Sequence, residues 1–151
     1  MNVLSLFVGC RGGQLALERA GIPVYRYYAS EIDKYAIKVT QAKFPNTIQL
    51  GDVTHLKDWY ATRTPYNSEP IDLLLGGSPC QGFSFAGKQL NFDDPRSRLF
   101  FDFIRIRDEL LPKYVLLENV RMSKKSQDII SKLSLIHISE PTRRRGISYA
   151  V

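Results

Sequence analysis

Cysteine and histidine are scarce in this chain. Cys10 and Cys80 form no Cys-x-x-Cys pair, and only His55 and His137 could join them, which argues against a zinc centre and fits a reducing compartment such as the cytoplasm. Long apolar runs are also missing, and none approaches the roughly twenty residues that spanning a bilayer requires. Met1 to Cys10 lacks the basic n-region and the apolar length of a secretory signal; Phe7-Val8-Gly9-Cys10 bears only a faint likeness to a lipoprotein cleavage site and is set aside on the same grounds. There is no internal repeat. Acidic residues number 15 against 21 basic ones, a net charge of +6 that favours a polyanionic partner. The support is weak, because +2 of it comes from the end of the chain, Arg143, Arg144 and Arg145 against Glu140, and leaves +4 for the body. What is present is ordinary for one globular domain: 151 residues, 44% hydrophobic and 24% charged.

Short β-type runs alternate with helical patterns. Val3 to Phe7 leads into a turn through Gly9, Gly12 and Gly13, then a helix-like stretch from Gln14 to Ala20 that stops at Gly21, with Pro23 behind it. Val24 to Ser30 reads as a strand and Lys34 to Phe44 as a helix ended by Pro45, in which Tyr35, Val39 and Ala42 share one face. Thr47 to Leu50 and Ile71 to Leu75 read as strands. Ser97 to Leu111 is the clearest helix, with Leu99, Phe103, Ile106 and Leu110 at i, i+4, i+7 and i+11, and Tyr114 to Leu117 follows Pro112 as a strand. Such alternation requires crossover connections, hence an α/β fold with a parallel sheet, and in doubly wound sheets the ligand sits beyond the carboxyl ends of the strands. The glycine turn, Glu31, Asp52, Cys80 and Glu118 all fall at such ends. From about Leu135 onward no period is sustained, and residues 135–151 read as a disordered or non-native tail; the run resembles one that recurs at the ends of unrelated reading frames as translated adapter sequence.

The motifs suggest a nucleotide-like cofactor beside a nucleophile. Gly9-Cys10-Arg11-Gly12-Gly13 would let a ligand approach the backbone and the free N–H groups of a helix start, although it is not Gly-x-Gly-x-x-Gly and a merely tight turn is the alternative. Glu31 stands where an acidic side chain accepts from ribose hydroxyls, or it is simply an acidic residue at a helix start beside Asp33. Asp52 could accept from an adenine amino group or serve only as a turn residue. Cys80 lies on the turn Gly77-Ser78-Pro79-Cys80-Gln81-Gly82-Phe83-Ser84 instead of in a core, and Glu118-Asn119-Val120 follows it by 38 positions at the tip of another strand. A thiol and a carboxyl so placed suit covalent chemistry on a flat, weakly electrophilic ring.

On Leu6-Phe7 with Gly9 and Gly13, Glu31-Ile32-Asp33, Gly51-Asp52-Val53, the Pro-Cys-Gln turn, Asp94-Pro95-Arg96-Ser97-Arg98-Leu99-Phe100 and Glu118-Asn119-Val120, in that order, the chain resembles the N-terminal part of the cytosine-C5 DNA methyltransferases. The resemblance spans residues 3 to about 130 and implies a Rossmann-like class I methyltransferase fold over residues 1–134, truncated before its last strands. It implies S-adenosylmethionine as cofactor, held by Phe7, Gly9, Gly13, Glu31, Ile32, Asp52, Val53, Ser78, Pro79 and Leu99. Cys80 would be the nucleophile toward C6 of a flipped cytosine, with Glu118 on the ring N3 and exocyclic amine and Asn119 fixing that geometry. Gln81 to Arg98 matches the family's loop over the nucleic acid, with Gln81, Ser84, Lys88 and Arg96 facing double-stranded DNA; without the resemblance it reads as a solvated surface loop.

Two departures stand out. Val8 replaces the usual Asp or Ser, and Arg11 adds a charge beside the pocket. The Gln-x-Arg-x-Arg motif, the target-recognition region and the returning C-terminal segment are absent from this sequence, so the expectation is a fragment of a bacterial or phage restriction–modification methyltransferase, with an open sheet edge beside Tyr114 to Leu117, poor solubility and little activity alone. The alternatives are a relative that modifies tRNA, a non-enzymatic cofactor-binding fragment or split subunit, and a nicotinamide-dependent Rossmann protein, which would have no use for the Pro-Cys-Gln and Glu-Asn-Val pair. Adenine-N6 methylation is disfavoured because Ser-Pro-Cys stands where an Asn-Pro-Pro type loop would sit.

Overall fold

The computed structural model describes residues 1–7, 9, 12–56, 69–77 and 98–118, and the backbone of 147–150. Strands β1 (Asn2–Leu6), β2 (Arg26–Ser30), β3 (Ile48–Gln49), β4 (Leu73–Gly76), β5 (Tyr114–Glu118) and β6 (Ile147–Ala150) form one sheet in the order β3-β2-β1-β4-β5-β6. Every pairing is parallel. Helices α1 (Gly12–Arg19), α2 (Lys34–Lys43) and α3 (Arg98–Leu110) occupy crossovers, and a single 3₁₀ turn spans Val53–His55. The chain leaves β1 toward β2 on one side and β4 lies on the other, so the strand order reverses between β1 and β4.

Both faces of the sheet are covered, as the apolar character of β1 and β4 requires. On one face Leu4, Leu6 and Leu74 pack with Phe100, Phe103 and Ile106 of α3; on the other Val3, Tyr27, Leu73 and Leu75 pack with Leu17 of α1. The apolar period read along α3 therefore marks its buried stripe. In α2 Tyr35, Val39 and Ala42 share one face, and it is the solvent face, while Ala36 and Thr40 are buried. Asp33 caps this helix, its Oδ1 accepting from the N–H groups of Tyr35 (2.7 Å) and Ala36 (3.2 Å).

The last strand corrects an expectation. Residues 147–150 pair with β5, from Val115 opposite Ile147 to Glu118 opposite Ala150, so the edge of β5 is not open. The physical reason is short length: four residues are too few for a sustained period, while the unpaired backbone row of β5 offers a ready ladder.

Among the described residues no helix is long and apolar enough to cross a membrane.

Candidate cofactor and catalytic site

The carboxyl ends of β1, β2 and β3 are joined to one another by polar contacts. Phe7, just past β1, has φ of +59°, a left-handed conformation that costs a bulky residue about 1–2 kcal/mol. Its N–H donates to the carbonyl of Ser30 at 3.0 Å. Gly9, at φ +50°, donates its N–H to Glu31 Oε2 at 2.8 Å. The other oxygen of Glu31 accepts from the N–H groups of Ile32 (2.8 Å) and Asp33 (2.9 Å). One carboxylate thus ties the turn after β1 to the turn after β2, while lone pairs remain on Oε2 for a ligand hydroxyl.

The turn after β3 is built on the same plan. Gly51 takes φ +74°, and its carbonyl accepts from the Ser30 hydroxyl at 2.8 Å. Asp52 Oδ1 accepts from the Thr54 N–H and the Thr54 hydroxyl, both at 2.8 Å. Those two bonds, the backbone one first, hold the Asp52 carboxyl below its ordinary value; slight desolvation opposes them and nearby His55 adds a small pull in the same direction.

These turns surround a cavity of about 310 Å³ over the point where the strand order reverses. Of the residues expected to hold a cofactor, Phe7, Gly9, Glu31, Ile32, Asp52, Val53 and Leu99 line it. Phe7, Ile32, Val53 and Leu99 give apolar surface for a flat base, and two carboxylates give acceptors for a diol, an amine or a cationic group. The volume is at the lower bound for a small-ligand site. This donor set fits an adenosyl cofactor.

Gly13 stands apart from the cavity. A Cβ on it would lie 2.7 Å from Leu75 Cδ1 and 3.0 Å from Tyr27 Oη, so its lack of a side chain lets α1 lie close on the sheet. Ser30, Gly51, Thr54 and Gly77 also line the cavity; Gly51 and Gly77 stand in the sequence motifs without an assigned ligand role, and Ser30 and Thr54 carry no motif of their own. The available signal was their position, immediately beside Glu31, Asp52 and the Pro-Cys-Gln turn.

On the far side of the reversal, β4 and β5 run in register with Gly76 opposite Leu117. Glu118 then stands opposite Gly77, and its Oε2 lies 2.9 Å from where a Gly77 Cβ would be. Gly77 lines the cavity as well, so the Glu118 carboxylate and the cavity share that residue as a wall. Cys80 follows three residues later. Cys80, Ser78, Pro79, Gln81, Ser84, Lys88, Arg96 and Asn119 lie outside the described residues.

A parallel sheet with acidic residues at successive strand ends and a cavity over its reversal point defines a Rossmann-like fold of the S-adenosylmethionine-dependent methyltransferase class. Solved structures agree: a DNA modification methyltransferase encoded within an Escherichia coli prophage superposes with a TM-score of 0.67 at 32% identity, over 88% of this chain and 37% of that one. The Dnmt2 methyltransferase of S. pombe superposes with a TM-score of 0.63 at 27% identity, over 88% and 41%. The family model for C-5 cytosine-specific DNA methylases matches residues 1–136, and the chain belongs to that family. It is 45% identical over 121 residues to the Type II methyltransferase M.Eco47II of Escherichia coli, covering 80% of this chain and 27% of that protein. Against M.HhaI of Haemophilus parahaemolyticus it is 40% identical over 124 residues, 80% and 34% respectively. The chain therefore spans between a quarter and about a third of the length of these curated relatives.

Proposed function

We propose that residues 1–134 are the cofactor-binding and nucleophile-bearing part of a DNA (cytosine-5-)-methyltransferase, acting on a cytosine extruded from double-stranded DNA. Residues 135–151 are read as a non-native tail, in keeping with a family match that ends at residue 136, even though its residues 147–150 pair with β5. The observation that carries the reading is the shared wall at Gly77: the cavity that fits an adenosyl group and the Glu118 carboxylate meet there, three residues before Cys80.

Phe7, Gly9, Glu31, Ile32, Asp52, Val53 and Leu99 would hold S-adenosylmethionine, with Gly13 shaping the turn beneath and Ser78 and Pro79 beside it. Glu31 would accept from the ribose hydroxyls and Asp52 from the adenine amine. When bound, the sulfonium supplies an electrophilic methyl group. The Cys80 thiolate forms the bond to C6 of cytosine and sends the C5–C6 electron pair onto C5, which makes that carbon a nucleophile. Glu118 would hold N3 and the exocyclic amine, sharing a proton with N3 as the ring gains electron density, and Asn119 would help fix that geometry. Once C5 carries the methyl group, transfer of its proton to a solvent water returns that electron pair to the C5–C6 double bond and expels the thiolate, a good leaving group. Gln81, Ser84, Lys88 and Arg96 would contact the nucleic acid, the cations giving a salt-dependent grip.

The test is transfer of a tritiated methyl group to duplex DNA, to tRNA and to unmethylated adenine sites, with this chain alone and with a relative's C-terminal half supplied in trans. The expected result is little or no transfer alone and labelled 5-methylcytosine in DNA when complemented. Cys80→Ala abolishes it, and Glu118→Gln lowers kcat by about 10² to 10⁴. Label that persists in Cys80→Ala, or that enters only tRNA or adenine, overturns the proposal.

A further inference from the structure

We propose that Ser30 is a positioning residue for ligand recognition: its hydroxyl sets the turn that carries Asp52 and thereby fixes where an adenine amine is read. The proposal rests on the cofactor reading above for its ligand, and on the structure for its mechanics.

β3 is only two residues long, pairing Ile48 with Tyr28 and Gln49 with Ala29. One further backbone bond, from the Leu50 N–H to the Ala29 carbonyl at 2.8 Å, ends the ladder. Past that point the chain turns through Gly51 at φ +74° toward Asp52. Among the described residues, the bond that ties Gly51 back to β2 is the 2.8 Å contact from the Ser30 hydroxyl to the Gly51 carbonyl. A side chain thus takes the place of the next ladder rung on a strand too short to supply it. Ser30 is buried at 2% exposure, so bulk water has little access to compete for this hydroxyl. Its carbonyl simultaneously accepts from the Phe7 N–H, which fastens the opposite cavity wall. Asp52 is the next residue after Gly51, and its carboxylate is held to Thr54 on the same turn, so a shift of Gly51 carries the carboxylate with it.

The experiment uses the full chain and three readouts. Amide hydrogen exchange followed by NMR should show the Thr54 and His55 amides exchanging about tenfold faster in Ser30→Ala, with the β1–β2 ladder amides unchanged, while Ser30→Thr, which keeps the hydroxyl, retains protection. Calorimetric affinity for S-adenosylhomocysteine should fall about tenfold in Ser30→Ala, the scale of one lost buried hydrogen bond. Affinity for S-inosylhomocysteine, whose 6-oxo group offers a carboxylate no proton, should fall less, so the preference between the two ligands collapses. In an Asp52→Asn background the Ser30→Ala loss should largely vanish. Unchanged turn exchange overturns the proposal, as does an equal loss for both ligands that adds to the Asp52→Asn loss. If the unaltered chain binds neither ligand, the cofactor reading is what fails, and the exchange measurement still decides the role of Ser30 in the turn.

Discussion

Both ends of the sheet carry networks of polar contacts, and the two networks do opposite things. At the amino end, Asn2 N–H donates to Asp72 Oδ2 at 2.7 Å, and its side-chain amide donates to Glu69 Oε2 and the Pro70 carbonyl. The Asp72 N–H returns a bond to the Asn2 carbonyl, the Tyr114 N–H bonds the Asp72 carbonyl, and Arg26 pairs with Glu69 at 3.8 Å. These groups close on each other and stitch β1, β4 and β5 together. At the carboxyl end, Ser30, Glu31 and Asp52 bind the backbone of turns that bend through Gly9 and Gly51, and the bonds hold those turns apart around a cavity. An acidic residue at a strand end is therefore not in itself a site; an acidic residue gripping a positive-φ glycine turn over the strand-order reversal is.

The largest blow to the carboxyl end should come from Gly76→Ala. A Cβ there would sit 2.4 Å from Phe103 Cε2 and 2.5 Å from its Cδ2, and Phe103 is fully buried. Helix α3 must shift to make room and takes Leu99, a cavity residue, with it. Urea denaturation should show a loss of about 1–3 kcal/mol, accompanied by weaker S-adenosylhomocysteine binding. Gly12→Ala, where nothing lies within 4 Å of the added carbon, is the matched control and should be neutral or stabilising by up to about 1 kcal/mol. Equal effects at the two glycines would contradict this packing.

A crossed pair of substitutions sharpens the contrast between the ends. Asp52→Asn keeps an oxygen to cap Thr54 but removes the charge, so ligand affinity should drop about tenfold or more with stability nearly unchanged. Asp72→Ala strips the acceptor from the Asn2 N–H and should lower stability by about 1–2 kcal/mol while leaving affinity per folded molecule alone. Calorimetry and denaturation on the same samples would decide; loss of both properties in both variants would mean that the two ends are not separable.

Much of this architecture was legible because it rests on strong periods and punctuation. Leu99, Phe103, Ile106 and Leu110 mark α3, Pro45 and Pro112 end their helices, and the strand-end positions of Glu31, Asp52 and Glu118 follow from the alternation itself. The inner face of α2 was not legible. Tyr35 and Val39 outweigh Ala36 and Thr40 in apolar area, yet the small residues are the ones buried, because the space on that side sets the choice and a period alone cannot report it. Strand β6 was missed for want of length. Ser30 was missed because a serine at a strand end carries no distinctive chemistry; its role comes from the brevity of β3, which is a property of the pairing. Gly13 also lets Leu75 and Tyr27 approach α1, a packing role that a glycine in a turn motif does not announce in sequence.

Tyr27 lies on β2 between the two ends and should give the smallest effect, visible only in alkali. Burial pushes its phenol above the ordinary 10.0, and the nearby Ser5 side chain pulls more weakly the other way, although among the described residues the buried hydroxyl makes no hydrogen bond of ordinary geometry. A folded value above the unfolded one means that the unfolded chain releases this proton first as pH rises. The contribution to stability is therefore complete below pH 10 and is lost as pH climbs through the raised folded value. Tyr27→Phe keeps the ring and removes the titration, so its urea midpoint should differ little from that of the unaltered chain at pH 8, a change of at most about 1 kcal/mol, and should decline less steeply above pH 10. The other tyrosines titrate in both proteins, so the difference between the two curves isolates Tyr27. Parallel curves across that range would mean that the phenol reaches solvent, which would also loosen the close approach of α1 at Gly13.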